Sequence, residues 1–117
     1  MTGYLTTAER ITALGPAYQR VLVTGETMQL VALTLEAGQE TGLVTHAEAD
    51  QLIVFLTGWP IEVTVAGEHH QVSAGSVLLV PKGVEHRIVN SGSLPVTILS
   101  AFAPPELPAG AVIETRS

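Results

Sequence analysis

A chain of 117 residues has room for one domain with one core. Its 46% hydrophobic content and mean hydropathy of +0.38 allow a sizeable core and argue against disorder. A net charge of −6, with eleven acids against five bases and no basic stripe, speaks against nucleic acid or an anionic membrane surface as a partner.

The predicted elements are short and separated by turn signals. Residues 1–17 form an N-terminal arm, with Ala8 to Leu14 as a short helix or extended segment. Gln19 to Thr24 and Met28 to Leu35 flank Gly25-Glu26-Thr27 and read as a hairpin. Leu52 to Leu56 is an apolar strand ending at Gly58, with Trp59-Pro60 at the following turn. Trp59 could be a partner contact or a lid over the barrel end.

Ile61 to Val65 alternates apolar and polar residues, as a strand with one buried face does. Gly67-Glu68-His69-His70 reads as a solvated hairpin tip. Val77 to Val80, Val84 to Val89 and Val96 to Phe102 are three more strands, and Pro104-Pro105-Glu106-Leu107-Pro108 closes the barrel. The domain therefore divides into the arm, a barrel over 18–105 and a tail over 106–117. With only 4% aromatic residues, the core rests on Val, Leu, Ile and Ala. Many short strands at this spacing indicate an all-β antiparallel sandwich or barrel.

There is no cysteine, which excludes disulfides, thiolate metal sites and a cysteine nucleophile. Met1-Thr2-Gly3-Tyr4 lacks the basic and apolar regions of a signal peptide, and no apolar run approaches the ~18 residues of a membrane span. A cytoplasmic protein is expected.

Of the four histidines, His46 and His86 sit where strands begin or run. Alternation puts Val44 and His46 on one strand face, Gln51, Ile53 and Phe55 on another, and Val84, His86 and Ile88 on a third. Two imidazoles and a carboxamide inside an apolar barrel could hold a divalent ion (Fe, Mn, Ni, Zn or Cu), with the amide oxygen the weakest donor. The alternative is two satisfied core or rim histidines.

The pattern Gly75-(five residues)-Pro81-Lys82-Gly83-(two)-His86-(three)-Asn90 resembles the second motif of the cupin superfamily at every defined position. The first cupin motif is present in altered form: His46 matches its second histidine, Gln51 stands at its glutamate position ahead of Gly58, and Val44 replaces its first histidine. The resemblance covers roughly residues 18–105. It extends to small bacterial single-domain cupins of the mannose-6-phosphate-isomerase-like type, where a glutamate stands at the Val44 position.

The resemblance implies a double-stranded β-helix (jelly-roll) barrel and a site of three histidines and a glutamate, of which this chain keeps His46 and His86. The remaining set carries no formal negative charge, so a dication would lack the ligand charge that offsets its desolvation. Glu48 is a candidate substitute carboxylate, while Glu85 and Asp50 should point away from the site. Leu43 and Val44 should make the mouth apolar, favouring an apolar or uncharged organic ligand in a pocket lined by Val44, Ile53, Phe55 and Ile88.

Three functions are consistent with these residues. The first is a metal-dependent small-molecule enzyme (isomerase, lyase or oxygenase) with His46, Gln51 and His86 as ligands. The second is a metal-free enzyme of isomerase, cyclase or lyase type, with His46 or His86 as general acid or base and Gln51 orienting the substrate. The third is a non-catalytic binding or sensing module. Apolar residues on both faces of several strands (Leu22, Val31, Leu33, Leu35, Leu52, Val54, Leu56) suggest a homodimer.

Overall fold

The computed structural model describes residues 2–115. In chain order, the elements are α1 (Ala8–Thr12), β1 (Gln19–Thr24), β2 (Gln29–Leu35), β3 (Asp50–Phe55), β4 (Ile61–Val65), β5 (Glu68–Val72), β6 (Val77–Val80), β7 (His86–Asn90), β8 (Val96–Ala103) and β9 (Val112–Ile113). They form a six-stranded sheet, β6-β3-β8-β2-β1-β9, facing a three-stranded sheet, β5-β4-β7. Every strand pairing is antiparallel. Residues 38–46 run along the free edge of β7 as an irregular fourth strand, bridging at Glu40–Val89 and Val44–His86.

Inward residues of both sheets build one deep cluster, including Leu35, Ile53, Phe55, Ile61, Val96 and Ile98, each at most 1% exposed. A second cluster of Val21, Val31, Ala49 and Phe102 takes in Leu107 and Ala111 from beyond β8. Alternation decides which side each residue takes: Val31, Leu33 and Leu35 of β2 point inward, leaving Leu30 and Thr34 outside. Those three buried residues therefore add nothing to an outward apolar face, contrary to the sequence expectation.

His69 and His70 are solvated as expected, but they do not form the turn. The turn is Ala66-Gly67, with φ of +49° and +80°, and both histidines belong to the edge strand β5. His69 Nε2 lies 2.8 Å from Glu62 Oε2 across the strand pair. The Trp59 side chain is 61% exposed, so it forms no packed lid. The segment after Pro105 turns back along the barrel, where β9 pairs with β1 and the Ala111 carbonyl accepts from Val21 N–H. Among the described residues, no helix is long and apolar enough to cross a membrane.

Candidate functional site

The fixed residues of the glycine-proline motif act mainly on the backbone. Gly75 and Gly83 adopt φ of +91° and +81°, a region that L side chains rarely enter. Pro81 to Val84 closes a turn through Val84 N–H donating to Pro81 O (3.2 Å), with Gly83 at the position that requires positive φ. This turn fixes two neighbouring segments. Gly83 N–H donates to the His46 carbonyl (2.8 Å), and Lys82 N–H donates to Asp50 Oδ1 (2.9 Å) at the start of β3. Asp50 thus caps a turn and points away from the site. Asn90 is fully buried; its Nδ2 donates to the carbonyls of Leu35 and Leu94, and its Oδ1 accepts from Gly92 N–H. Only His86, among the five fixed positions, reaches the interior cavity.

That cavity has a volume of about 80 Å³ and is lined by residues from both core clusters. The His46 and His86 rings lie there with centroids 5.5 Å apart, and Phe102 packs edge-on against His46 at 4.9 Å. Gln51 reaches the same cavity from β3, where its Nε2 donates to Ser100 Oγ at 3.1 Å. Its Oε1 is buried and has no partner. Such an orphan acceptor in a low-dielectric setting is costly unless a donor or cation meets it.

The two imidazoles meet different neighbours at Nδ1. His86 Nδ1 lies 3.3 Å from the Val84 carbonyl, which can only accept, so Nδ1 carries the hydrogen. His46 Nδ1 lies 3.4 Å from Glu106 Oε2. In neutral His86, Nε2 is thereby left with its lone pair. Burial is the main cause of a lowered His86 pKa; the hydrogen bond to Val84 opposes the shift and the nearby His46 charge adds to it. Neutral His86 is therefore the favoured form.

Of the predicted site residues, His46, Gln51 and His86 converge as expected, and Val44 and Ile88 line the same cavity. Ile53 and Phe55 do not line it. They share the Gln51 face of β3 but lie successively further along the strand, within the deep core. Leu43 is 65% exposed and turned outward, because alternation from Val44 sends it to the other face. Glu48 and Glu85 are exposed and stand outside the cavity lining. Beyond the residues expected from the sequence, the lining includes Tyr18, Gln19, Leu33, Thr41, Ile98, Ser100 and Phe102, and Glu106 stands beside His46. A carboxylate held between Pro105 and Pro108 was the one signal available for Glu106.

The two-sheet antiparallel barrel, with its site between the sheets, is that of a double-stranded β-helix protein. The Cupin domain family model matches residues 31–102, and the chain belongs to the cupin family. It is 29% identical over 119 residues to the uncharacterized protein YrkC of Bacillus subtilis, covering 97% of this chain and 64% of that one, so it spans under two thirds of that relative. Its structure resembles the crystal structure of BH2720 from Bacillus halodurans, with TM-score 0.91, 25% identity, and 97% and 89% of the two chains covered. The fold is also that of an RmlC-like cupin from Shewanella frigidimarina, with TM-score 0.69, 21% identity, and 80% and 81% covered.

Proposed function

We propose that this chain is a small-molecule enzyme whose barrel holds a divalent metal through His46, His86 and Gln51. One observation carries the reading: the His46 ring, the His86 ring with its Nε2 lone pair and the orphan Gln51 Oε1 belong to residues lining one cavity. An electrophile is the natural partner of such a set. Among the described residues, no group of three His, Cys, Asp or Glu side chains could hold a metal, so in this reading the Gln51 amide is the third protein donor. Two imidazoles and a neutral oxygen suit Fe, Mn, Ni, Zn or Cu better than the hard, oxygen-loving Ca or Mg. When bound, the ion would act as a Lewis acid on a carbonyl or enolisable oxygen.

The chain's own residues set what can enter. A cavity of about 80 Å³ lies well below the ~300 Å³ of ordinary ligand pockets, so the substrate is a small molecule or presents a small end. Val44, Ile88 and Phe102 give it apolar walls, which favour an uncharged group. Ser100 holds the Gln51 amide so that Oε1 is the free atom.

A second reading rests on the uncharged donor set. Without metal, neutral His86 has the lone pair and the lowered pKa of a general base, and Gln51 would orient the substrate. Metal analysis of protein purified without a chelating column decides between them. Stoichiometric metal, lost in His46→Ala and His86→Ala, is the expected result. Protein that neither carries nor takes up metal overturns the first reading, and leaves the metal-free enzyme and the non-catalytic binding module.

A further inference from the structure

The segment after β8 is clamped with more care than a tail requires. Gln29, at the start of β2, is fully buried and uses its whole amide. Nε2 donates to Thr24 Oγ1 (2.9 Å) and to the Leu107 carbonyl (2.7 Å), while Oε1 accepts from the N–H groups of Glu106 (3.1 Å) and Leu107 (3.0 Å). A buried amide thus pairs with this backbone as a neighbouring strand would. Leu107 packs on the cluster that contains Phe102, and Phe102 in turn packs on His46.

We infer that Glu106 is a positioning residue for His46, held in place by Gln29. Its Oε2 stands 3.4 Å from His46 Nδ1, with both side chains only a quarter or less exposed. An exposed ion pair between two flexible side chains contributes little. Here the carboxylate's own backbone is fixed by a buried group, the His46 backbone is fixed by the bond from Gly83 N–H to its carbonyl, and the His46 ring packs on Phe102. Two consequences follow. Glu106 holds the hydrogen of His46 on Nδ1, which leaves Nε2 as the acceptor facing the site's chemistry. It also places one negative charge behind a donor set that has none of its own. A carboxylate behind a ligating histidine orients the ring and raises its basicity. The second consequence rests on the metal reading above, whereas the first does not.

The test uses the full chain, labelled with ¹⁵N-histidine and freed of metal. In the wild type, neutral His46 should show a protonated Nδ1 and an unprotonated Nε2. In Glu106→Ala its signals should move toward the opposite tautomer, which a free histidine side chain prefers. Calorimetric titration with Zn²⁺ and Ni²⁺ should show Glu106→Gln binding about 10–100-fold more weakly than wild type. Circular dichroism melting confirms that both variants fold. Gln29→Ala, if folded, should repeat the His46 change without altering any cavity-lining residue. If the wild type takes up neither ion, the metal reading falls, and the tautomer in Glu106→Ala alone decides the positioning role. If the wild type binds metal while Glu106→Gln binds it equally well and Glu106→Ala keeps the wild-type tautomer, the inference about Glu106 is wrong and the metal reading stands.

Discussion

Val44 and His86 exchange both backbone hydrogen bonds, Val44 N–H to His86 O at 2.8 Å and His86 N–H to Val44 O at 2.9 Å. Residues paired this way have Cα atoms about 5.5 Å apart and send their side chains to the same face. Both line the central cavity. An imidazole at position 44 would therefore enter the cavity beside the one at 86. Val44→His should raise divalent-metal affinity roughly tenfold or more, about 1.4 kcal/mol. Gln51→Glu should add to this by giving the set an anionic oxygen where an unpartnered amide oxygen now lies. Calorimetry with Zn²⁺ or Ni²⁺ checks both. No gain from either would mean that these side chains do not share one shell. If the wild type turns over substrate without metal, the same substitutions should lower activity by filling or charging an apolar pocket.

The acid stability of the metal-free protein should report His86. Burial lowers its pKa in the folded state, against about 6.5 for an unperturbed histidine. As pH falls through about 6.5, the unfolded chain takes up a proton that the folded chain resists, so folding stability declines until the folded value is reached. Above that window His86 contributes no pH dependence. Glu62, whose pKa is lowered chiefly by the hydrogen bond from Gln71, acts in a separate window below its usual 4.5. Thermal melts between pH 8 and 5 should slope downward, and His86→Gln should flatten the slope. An unchanged slope in the variant would assign the effect elsewhere.

The glycine-proline motif was legible in the sequence because its fixed positions impose backbone conformations that few residues accept. Alternation gave the face of each strand, and the resemblance to the two cupin motifs is what put His46, Gln51 and His86 at one site. It does not give depth. Ile53 and Phe55 share a face with Gln51 yet lie in the deep core, beyond the cavity. Nor does it choose a side when both faces are apolar, as on β2. The strand β5 escaped notice because four of its five residues are exposed, so no periodic burial marks it. Glu106 lies far from His46 in sequence, and only the folded Gln29 clamp brings them together.

Two substitutions separate the motif's backbone work from its hydrogen-bonding work. A Cβ at Gly83 would meet nothing within 4 Å, so Gly83→Ala tests the positive φ alone and should cost roughly 1–2 kcal/mol. Asn90→Ala instead orphans groups inside the core, since the Leu35 and Leu94 carbonyls lose their donor. It should cost more, on the order of 3 kcal/mol. Urea denaturation with unchanged m-value measures both. A costlier Gly83→Ala than Asn90→Ala would reverse this ranking.

The outer face of the six-stranded sheet carries the last prediction. Leu52 of β3 stands directly opposite Leu79 of β6, and Val54 opposite Val77. In the same rows, β8 presents Ala101 and Leu99, and β2 presents Leu30 and Ala32. The face is apolar across four strands until Arg20 of β1, which pairs with Ala32. Leu52, Leu79 and Val77 are 41%, 61% and 64% exposed in the single chain. Contiguous apolar surface of this kind marks an interaction site. A second copy offers a matching surface through a two-fold axis, and the charge-free patch avoids the repulsion that a net −6 imposes elsewhere. Sedimentation velocity at micromolar concentration should therefore show a dimer. Leu52→Glu or Leu79→Glu places like charges on both sides of the axis and should yield a folded monomer. A wild-type monomer would leave this face without its proposed partner. A dimer indifferent to both substitutions would move the interface to another surface.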